Sequence, residues 1–221
     1  VDGPSGAGKS SACRGLAERL GFAYIDTGAM YRAVAYLASR QGIAPDDAAQ
    51  LDAFTANIVV AFVDGPDGVQ GVIANGLDVT TAIREPDISQ LASTVSAHPG
   101  VRTHLMRAQR TLGASGNVVI EGRDIGTVVF PTAPVKFFVT ARPEERARRR
   151  SAELGIRGVS ADTEQVEAEQ AERDARDSSR AHAPLMQAPD AIVLDTTDMS
   201  LQEVIDAMEQ AVERARVVRA G

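Results

Sequence analysis

The chain is 221 residues long, 44% hydrophobic and 24% charged, a globular balance sized for one domain with small inserted lobes. No apolar run approaches the roughly 20 residues that a bilayer span requires, and the net charge of −7 argues against a nucleic-acid partner, whose backbone is held through a basic field. The lone Cys13 rules out an internal disulfide, and no basic segment precedes an apolar one to direct secretion, so a soluble protein in a reducing cytoplasm is expected, read separately as a monomer.

The chain opens on Val1 rather than Met, from which a few missing upstream residues are expected. Strand-length apolar runs then alternate with amphipathic helix-length segments, the pattern of an α/β fold with a parallel sheet flanked by helices. Val1-Asp2 read as the end of a first strand, 10–20 as a helix stopped by Gly21, 22–25 as a strand and 29–40 as a helix ended by Gly42. From 58–63 and 71–79 the runs become short and β-like, broken by turn signals at Asp64-Gly65-Pro66-Asp67-Gly68 and Asn75-Gly76. These suggest a small antiparallel insert, 57–100, in a single domain, 1–221. Helical spacing returns over 89–112 around Pro99-Gly100, followed by buried-type strands at 118–121 and 135–139. Pro143, with Glu144 and Glu145 behind it, opens a charged region running to about Arg180, read as a mobile, partly helical lid whose closing part is 142–160. A last strand at 191–194 precedes Ser200-Leu201-Gln202-Glu203, a capping box for a C-terminal helix.

The first strand and first helix enclose Gly3-Pro4-Ser5-Gly6-Ala7-Gly8-Lys9-Ser10-Ser11. Its G-x4-G-K-[ST] spacing is that of a P-loop, in which glycines let successive N–H groups converge on phosphate oxygens at a helix start. In that arrangement Lys9 reaches the β- and γ-phosphates of ATP and the Ser10 hydroxyl meets Mg²⁺. The loop names a nucleotide but no acceptor. GTPases read guanine with Asn-Lys-x-Asp, which neither lysine, Lys9 or Lys136, fits. The other basic residues are all arginines, which suit clustered phosphates. Arg32 follows Asp26-Thr27-Gly28, and Arg123 follows the strand at 118–121, at the carboxyl edge where open sheets bind ligands. Arg142, Arg146 and Arg149 share the i, i+4, i+7 spacing of one helical face, a repulsive array unless an anion visits it, and Arg173, Asp177 and Arg180 repeat the spacing. His98, His104 and His182 have no ligand-like spacing and read as surface or packing residues, and Cys13 as core.

Four segments together resemble the bacterial cytidylate kinases of the nucleoside monophosphate kinase group: Asp2 to Lys9, Asp26-Thr27-Gly28-Ala29-Met30-Tyr31-Arg32, the stretch from Glu121-Gly122-Arg123-Asp124 to Pro131, and Arg173-Asp174-Ala175-Arg176-Asp177-Ser178-Ser179-Arg180. The resemblance covers nearly the whole chain. It implies a P-loop NTPase-type fold, a monophosphate-binding lobe at 57–100 and transfer of the γ-phosphate of ATP to CMP or dCMP. It also implies that Thr27, Arg32, Ser93, Arg102, Arg123, Asp124, Arg173, Asp177 and Arg180 line the CMP site, with Asp124 helping to select the base and Asp177 the sugar. A carboxylate suits cytosine's amino group, where uracil presents a carbonyl.

An acceptor that is already an anionic phosphate needs no activating base, so catalysis is expected from positioning and charge: Lys9, Mg²⁺, Arg32 and Arg123, with Arg146, Arg149 and Arg150 brought in as the lid closes and excludes water. Two rivals stay open at this point: another small-molecule kinase on the same scaffold, acting on UMP, AMP or shikimate, and a nucleotide-binding regulatory module without turnover.

Overall fold

The structure, a computed structural model, describes residues 1–65, 70–114 and 116–220. In chain order its elements are α1 (Lys9–Leu20), β1 (Ala23–Asp26), α2 (Thr27–Arg40), α3 (Ala48–Thr55), β2 (Val60–Asp64), β3 (Gln70–Ala74), β4 (Leu77–Asp78), α4 (Pro86–Val95), α5 (Pro99–Gly113), β5 (Val118–Glu121), β6 (Phe137–Thr140), α6 (Pro143–Ile156), α7 (Thr163–Ser178), β7 (Ile192–Asp195) and α8 (Leu201–Ala220). Two compact units emerge, one made of Val1–Tyr24 with Ser115–Gly221 and the other of Ile25–Ala114.

The first unit carries the parallel sheet. β6 and β7 pair in parallel, Phe137 opposite Ile192 and Thr140 opposite Asp195. On the other side of β6, Asp2 is bridged in parallel to Phe138. Val1 in turn reaches β5, its N donating to Ile120 O at 2.8 Å and its carbonyl accepting from Gly122 N at 2.9 Å. Just ahead of β5, Asn117 O accepts from Ala23 N, at the start of β1, at 3.0 Å. Val1-Asp2 therefore sit in the middle of the sheet, and the chain leaves them directly into the glycine-rich loop.

The apolar spacing of α1 explains its docking. Cys13, Leu16 and Ala17 fall on one face and pack with Val119, Phe137 and Val139 of the sheet and Val204 and Met208 of α8. Each large aliphatic side chain so buried contributes about 1.5–3 kcal/mol. Gly21 ends the helix in the left-handed region, φ 64°, where its N–H meets Ala17 O and Glu18 O. The capping box forms as read, Ser200 N on Glu203 Oε2 at 2.8 Å and Glu203 N on Ser200 Oγ at 3.3 Å. α6 and α7 share a small core of Ala147, Leu154 and Val166.

In the second unit, β2, β3 and β4 form an antiparallel meander with Val60 opposite Ala74 and Ala74 opposite Leu77. Its β3–β4 turn is Asn75-Gly76, at φ 48° and 79°, the left-handed pair that a two-residue hairpin needs. Of the other turn signal, Pro66, Asp67 and Gly68 lie outside the described residues. Met30, Val34 and Ala38 of α2 pack with Leu51, Ala92, Val95, Val101 and Leu105, while Ala29 and Ala33 meet Val72, Val79 and Ile83. α4 and α5 each open on a proline at the first helical position, where its fixed φ helps and its missing N–H costs nothing.

Candidate active site

The loop between Asp2 and α1 has the backbone that its glycines were expected to allow. Gly3, Gly6 and Gly8 take φ of 147°, 77° and 83°, conformations that a Cβ disfavours. At Gly3 the crowding is decisive, since a Cβ there would stand 1.9 Å from Val139 O. That neighbour is backbone in mid-sheet and cannot step aside. Gly3→Ala is therefore expected to lose about 3 kcal/mol or more of stability, together with ATP binding, as read by urea unfolding and equilibrium binding. Beyond the loop, α1 starts with no side-chain cap on Gly8 and no acidic residue in its first turn. Its first amides and the positive end of its dipole are thus left for an anion, beside the exposed hydroxyls of Ser10 and Ser11.

Lys9 is only 5% exposed and donates from Nζ to Pro4 O at 2.5 Å, inside its own loop. Burial pushes its ammonium down to about 7, Arg123 adds to that depression, and Glu121 opposes it. Arg173 also lowers it, so both arginines lie within electrostatic reach of the loop lysine.

The arginines after β6 do not act as one row. Arg142 precedes α6 and lies exposed against Asp198 at 3.2 Å. Arg146 is buried, with Nε on Ala141 O at 3.2 Å and Nη1 on Ser5 O at 3.1 Å and on Asp174 Oδ2. Asp174 also accepts from Ser5 N at 3.4 Å, so α6 and α7 grip both backbone polar groups of one loop residue. Arg149 places Nε on Glu145 at 2.8 Å, Nη1 on Thr196 Oγ1 at 2.9 Å and Nη2 on Thr196 O at 2.6 Å. Arg150 points elsewhere, to Glu153 at 2.8 Å. The repulsion foreseen for Arg142, Arg146 and Arg149 is thus answered by the protein's own carboxylates, Asp198, Asp174 and Glu145. Hydrogen bonds from Arg148, and then from Arg149, hold Glu145 down at about 2. Beside Gly8 and Ser11, a cavity of about 520 Å³ opens between Glu145 and Arg149 on one side and Thr196, Asp198 and Leu201 on the other. Its size suits a nucleoside.

At the carboxyl end of β5, Arg123 donates from Nε to Asp177 Oδ2 at 3.0 Å, not to the adjacent Asp124 as a local ion pair would. Arg180 meets the other oxygen of Asp177. Asp177 is 1% exposed. Burial alone would raise its pKa, but Arg123, Arg180 and Arg173 together hold it below the usual carboxylate range. Asp124, also buried, opens a single π-helical turn over Ile125–Val129, its carbonyl accepting from Val128 N and Val129 N at 2.9 and 3.1 Å. The first unit therefore brings together Lys9, Arg123, Arg173, Asp177 and Arg180, with Arg146 and Arg149 along the loop.

A family model described as "Cytidylate kinase" matches residues 1–214. The chain belongs to the cytidylate kinase family. Cytidylate kinases of Geobacter sulfurreducens and Syntrophotalea carbinolica are 53% and 52% identical to it, over 98% of this chain and 93% and 92% of those proteins. A bifunctional pantoate ligase/cytidylate kinase of a Synechococcus strain is 50% identical over 95% of this chain but only 43% of its own length. Membership makes the chain a phosphotransferase with a P-loop NTPase-type fold.

The second unit carries the remaining expected residues. Asp26 caps α2 through Ala29 N at 3.1 Å and also accepts from Arg32 Nη2 at 2.8 Å, so Arg32 is aimed by the cap. Thr27 and Ser93 are both buried, each at 2% exposure. Arg102 donates to Ser96 O at 3.2 Å and lies over the ring of Tyr31, 5.4 Å from its centroid. His98 and His104 serve packing, against Pro45 O at 2.8 Å and Asp52 at 3.1 Å, and His182 is exposed. Among the described residues no three His, Cys, Asp or Glu side chains are grouped to hold a metal, and no helix is long and apolar enough to cross a membrane.

Sequence reasoning assigned no role to Asp2, Asp174 or Thr196, nor to the Glu121 that accepts from Tyr24 Oη. The Thr196 hydroxyl reaches Ala7 O at 3.1 Å from 189 residues away. Side chains that support the loop from such distances leave no local pattern to read.

Proposed function

We propose that this chain transfers the γ-phosphate of ATP to CMP or dCMP, releasing ADP and CDP or dCDP. The observation that carries this reading is a phosphate loop whose buried Lys9 feels Arg123 and Arg173, two of the arginines through which the cytidylate kinase pattern holds its acceptor. Cation charge from the donor side and the acceptor side thus converges on one lysine.

On this reading Gly3, Pro4, Ser5, Gly6, Ala7, Gly8, Lys9, Ser10 and Ser11 hold the triphosphate, and the cavity beside Gly8 takes the donor's nucleoside. Arg123, Asp124, Arg173, Asp177 and Arg180 contact the acceptor, and the cytidylate kinase resemblance assigns Thr27, Arg32, Ser93 and Arg102 to it as well. A phosphate oxygen of CMP attacks the γ-phosphorus, forming the new P–O bond as the bond to the β-phosphate oxygen breaks and ADP leaves. No proton need be removed from the nucleophile. Lys9 leaves Pro4 O for the phosphates, and Lys9, Arg32 and Arg123 offset charge on the transferring group, with Arg146 and Arg149 supplying it from the segment 142–160 as that segment closes and excludes water. Ser10 is the loop hydroxyl that the P-loop pattern assigns to Mg²⁺, and such an ion would take its other oxygen ligands from the phosphates and water. That ion would draw charge off the β- and γ-phosphates. We read the protein as a cytoplasmic monomer.

A coupled assay of ADP release with CMP, dCMP, UMP and AMP as acceptors tests the reading. CMP and dCMP are expected to support turnover well above UMP and AMP. Preference for UMP or AMP, or ATP binding with no acceptor-dependent ADP release, contradicts it.

A further inference from the structure

The two residues read as recognising the acceptor on the sheet side, Arg123 and Asp124, stand at the start of a short loop rather than on a regular element. What aims that loop is buried beneath it. The side chain of Asp2, 4% exposed, accepts from Ile125 N through Oδ1 and from Gly126 N through Oδ2, both at 2.7 Å. Its two oxygens thus satisfy the first two amides of the π-helical turn that Asp124 opens, in the manner of an N-terminal cap supplied from another strand. The far end of the same stretch is pinned by Lys136, whose Nζ donates to Pro131 O at 2.5 Å and to Asp190 at 2.8 and 2.9 Å. Gly126 lies between these anchors, where an added Cβ would come within 3.1 Å of Lys136 Cδ and 3.3 Å of Asp2 Oδ2. A loop held this closely has little freedom to re-aim its side chains.

Resting on the CMP reading above, we propose that Asp2 is a positioning residue for acceptor selectivity: it sets the register of the turn after β5, and through it the aim of Arg123 and Asp124. The side chain acts separately from the backbone of its own residue. Asp2 N donates to Phe137 O at 2.9 Å and Asp2 O accepts from Val139 N at 2.8 Å, and these sheet bonds, not the carboxylate, deliver the chain into the phosphate loop. Loss of the carboxylate should therefore disturb the acceptor side while leaving the ATP side in place.

Asp2→Asn is the direct test. The amide that replaces one oxygen faces a backbone N–H, donor against donor, so the turn loses one bond and must shift. The expected result is a fall of about 10- to 100-fold in kcat/KM for CMP, a smaller fall for UMP and hence a lower CMP-to-UMP ratio, with KM for ATP changed by less than about threefold. A purely structural role lowers the active fraction and leaves that ratio untouched. Should Asp2→Asn fail to fold, Gly126→Ala presses on the same turn by only a few tenths of an ångström and is expected to lower the ratio in the same direction. An unchanged ratio, or equal losses on the ATP and CMP sides, overturns the proposal. Wild-type protein without CMP preference would instead sink the CMP reading itself, so the two failures are told apart.

Discussion

Replacing Lys9 with Met is expected to cut kcat by about 10³-fold, the scale on which losing one preorganised charge-stabilising donor is felt, while the fold stays intact. The structure argues for both halves of this result. Nζ is held inside the loop on Pro4 O, and residues 3–11 contain no second cationic side chain to take its place. Yet the ammonium is buried, and burial lowers its pKa from the ordinary 10.5 to about 7, so folding without nucleotide disfavours its charge. The sign is the reverse of the usual lysine case. The cost is fully present below about pH 7 and is relieved as pH rises toward 10.5, because the unfolded chain then holds a proton that the folded chain has released. Nucleotide-free wild type should gain stability relative to Lys9→Met across that interval, as read by urea unfolding at several pH values. Binding of ATP supplies the missing anion and raises the pKa again. At pH 8 it should take up a proton, seen as a dependence of the binding heat on buffer ionisation that Lys9→Met lacks.

The second large effect is expected at Asp177. Its carboxylate is shared by Arg123 and Arg180 in a nearly water-free position. Asp177→Ala removes that shared partner and should cost about 3–5 kcal/mol of stability. KM for CMP is expected to rise about 10- to 100-fold, in line with the loss of a charge-assisted hydrogen bond, with KM for ATP little changed. Because the folded-state pKa of Asp177 lies below its ordinary value, the stabilisation it provides is complete above about pH 4 and is lost as pH falls through the lowered value. Acid unfolding of the wild type should therefore be steeper than that of Asp177→Ala. Equal acid profiles, or a KM effect on ATP alone, would contradict this account of the cluster.

Legibility in the sequence tracked the range of each interaction. The glycines of the loop, the Asn75-Gly76 turn, the Ser200-Glu203 box and the apolar face of α1 are local devices, so spacing alone found them. Spacing misled where a residue left its element: Arg142 was grouped with Arg146 and Arg149 as a helical face, but Pro143 starts α6 after it, and Arg142 turns to Asp198. Arg123 stood next to Asp124 in sequence, yet its partner is Asp177, 54 residues on. Lys136, one of the chain's two lysines, is tied to Pro131 and Asp190 and holds the far end of the loop after β5. Asp2 and Asp174 fell inside recognisable motifs without a stated task, since their partners are 123 and 169 residues distant. The phosphate loop was thus readable from its own residues, while the side chains that hold the loop after β5 became visible only in three dimensions.

The most direct measurement follows the phosphate itself. With ATP carrying a labelled γ-phosphate and CMP as acceptor, label is expected in the β-position of CDP, one equivalent for each ADP released, and its appearance should stop in Lys9→Met. Label recovered as inorganic phosphate, or carried to UMP or AMP in preference to CMP, would contradict a (d)CMP phosphotransferase.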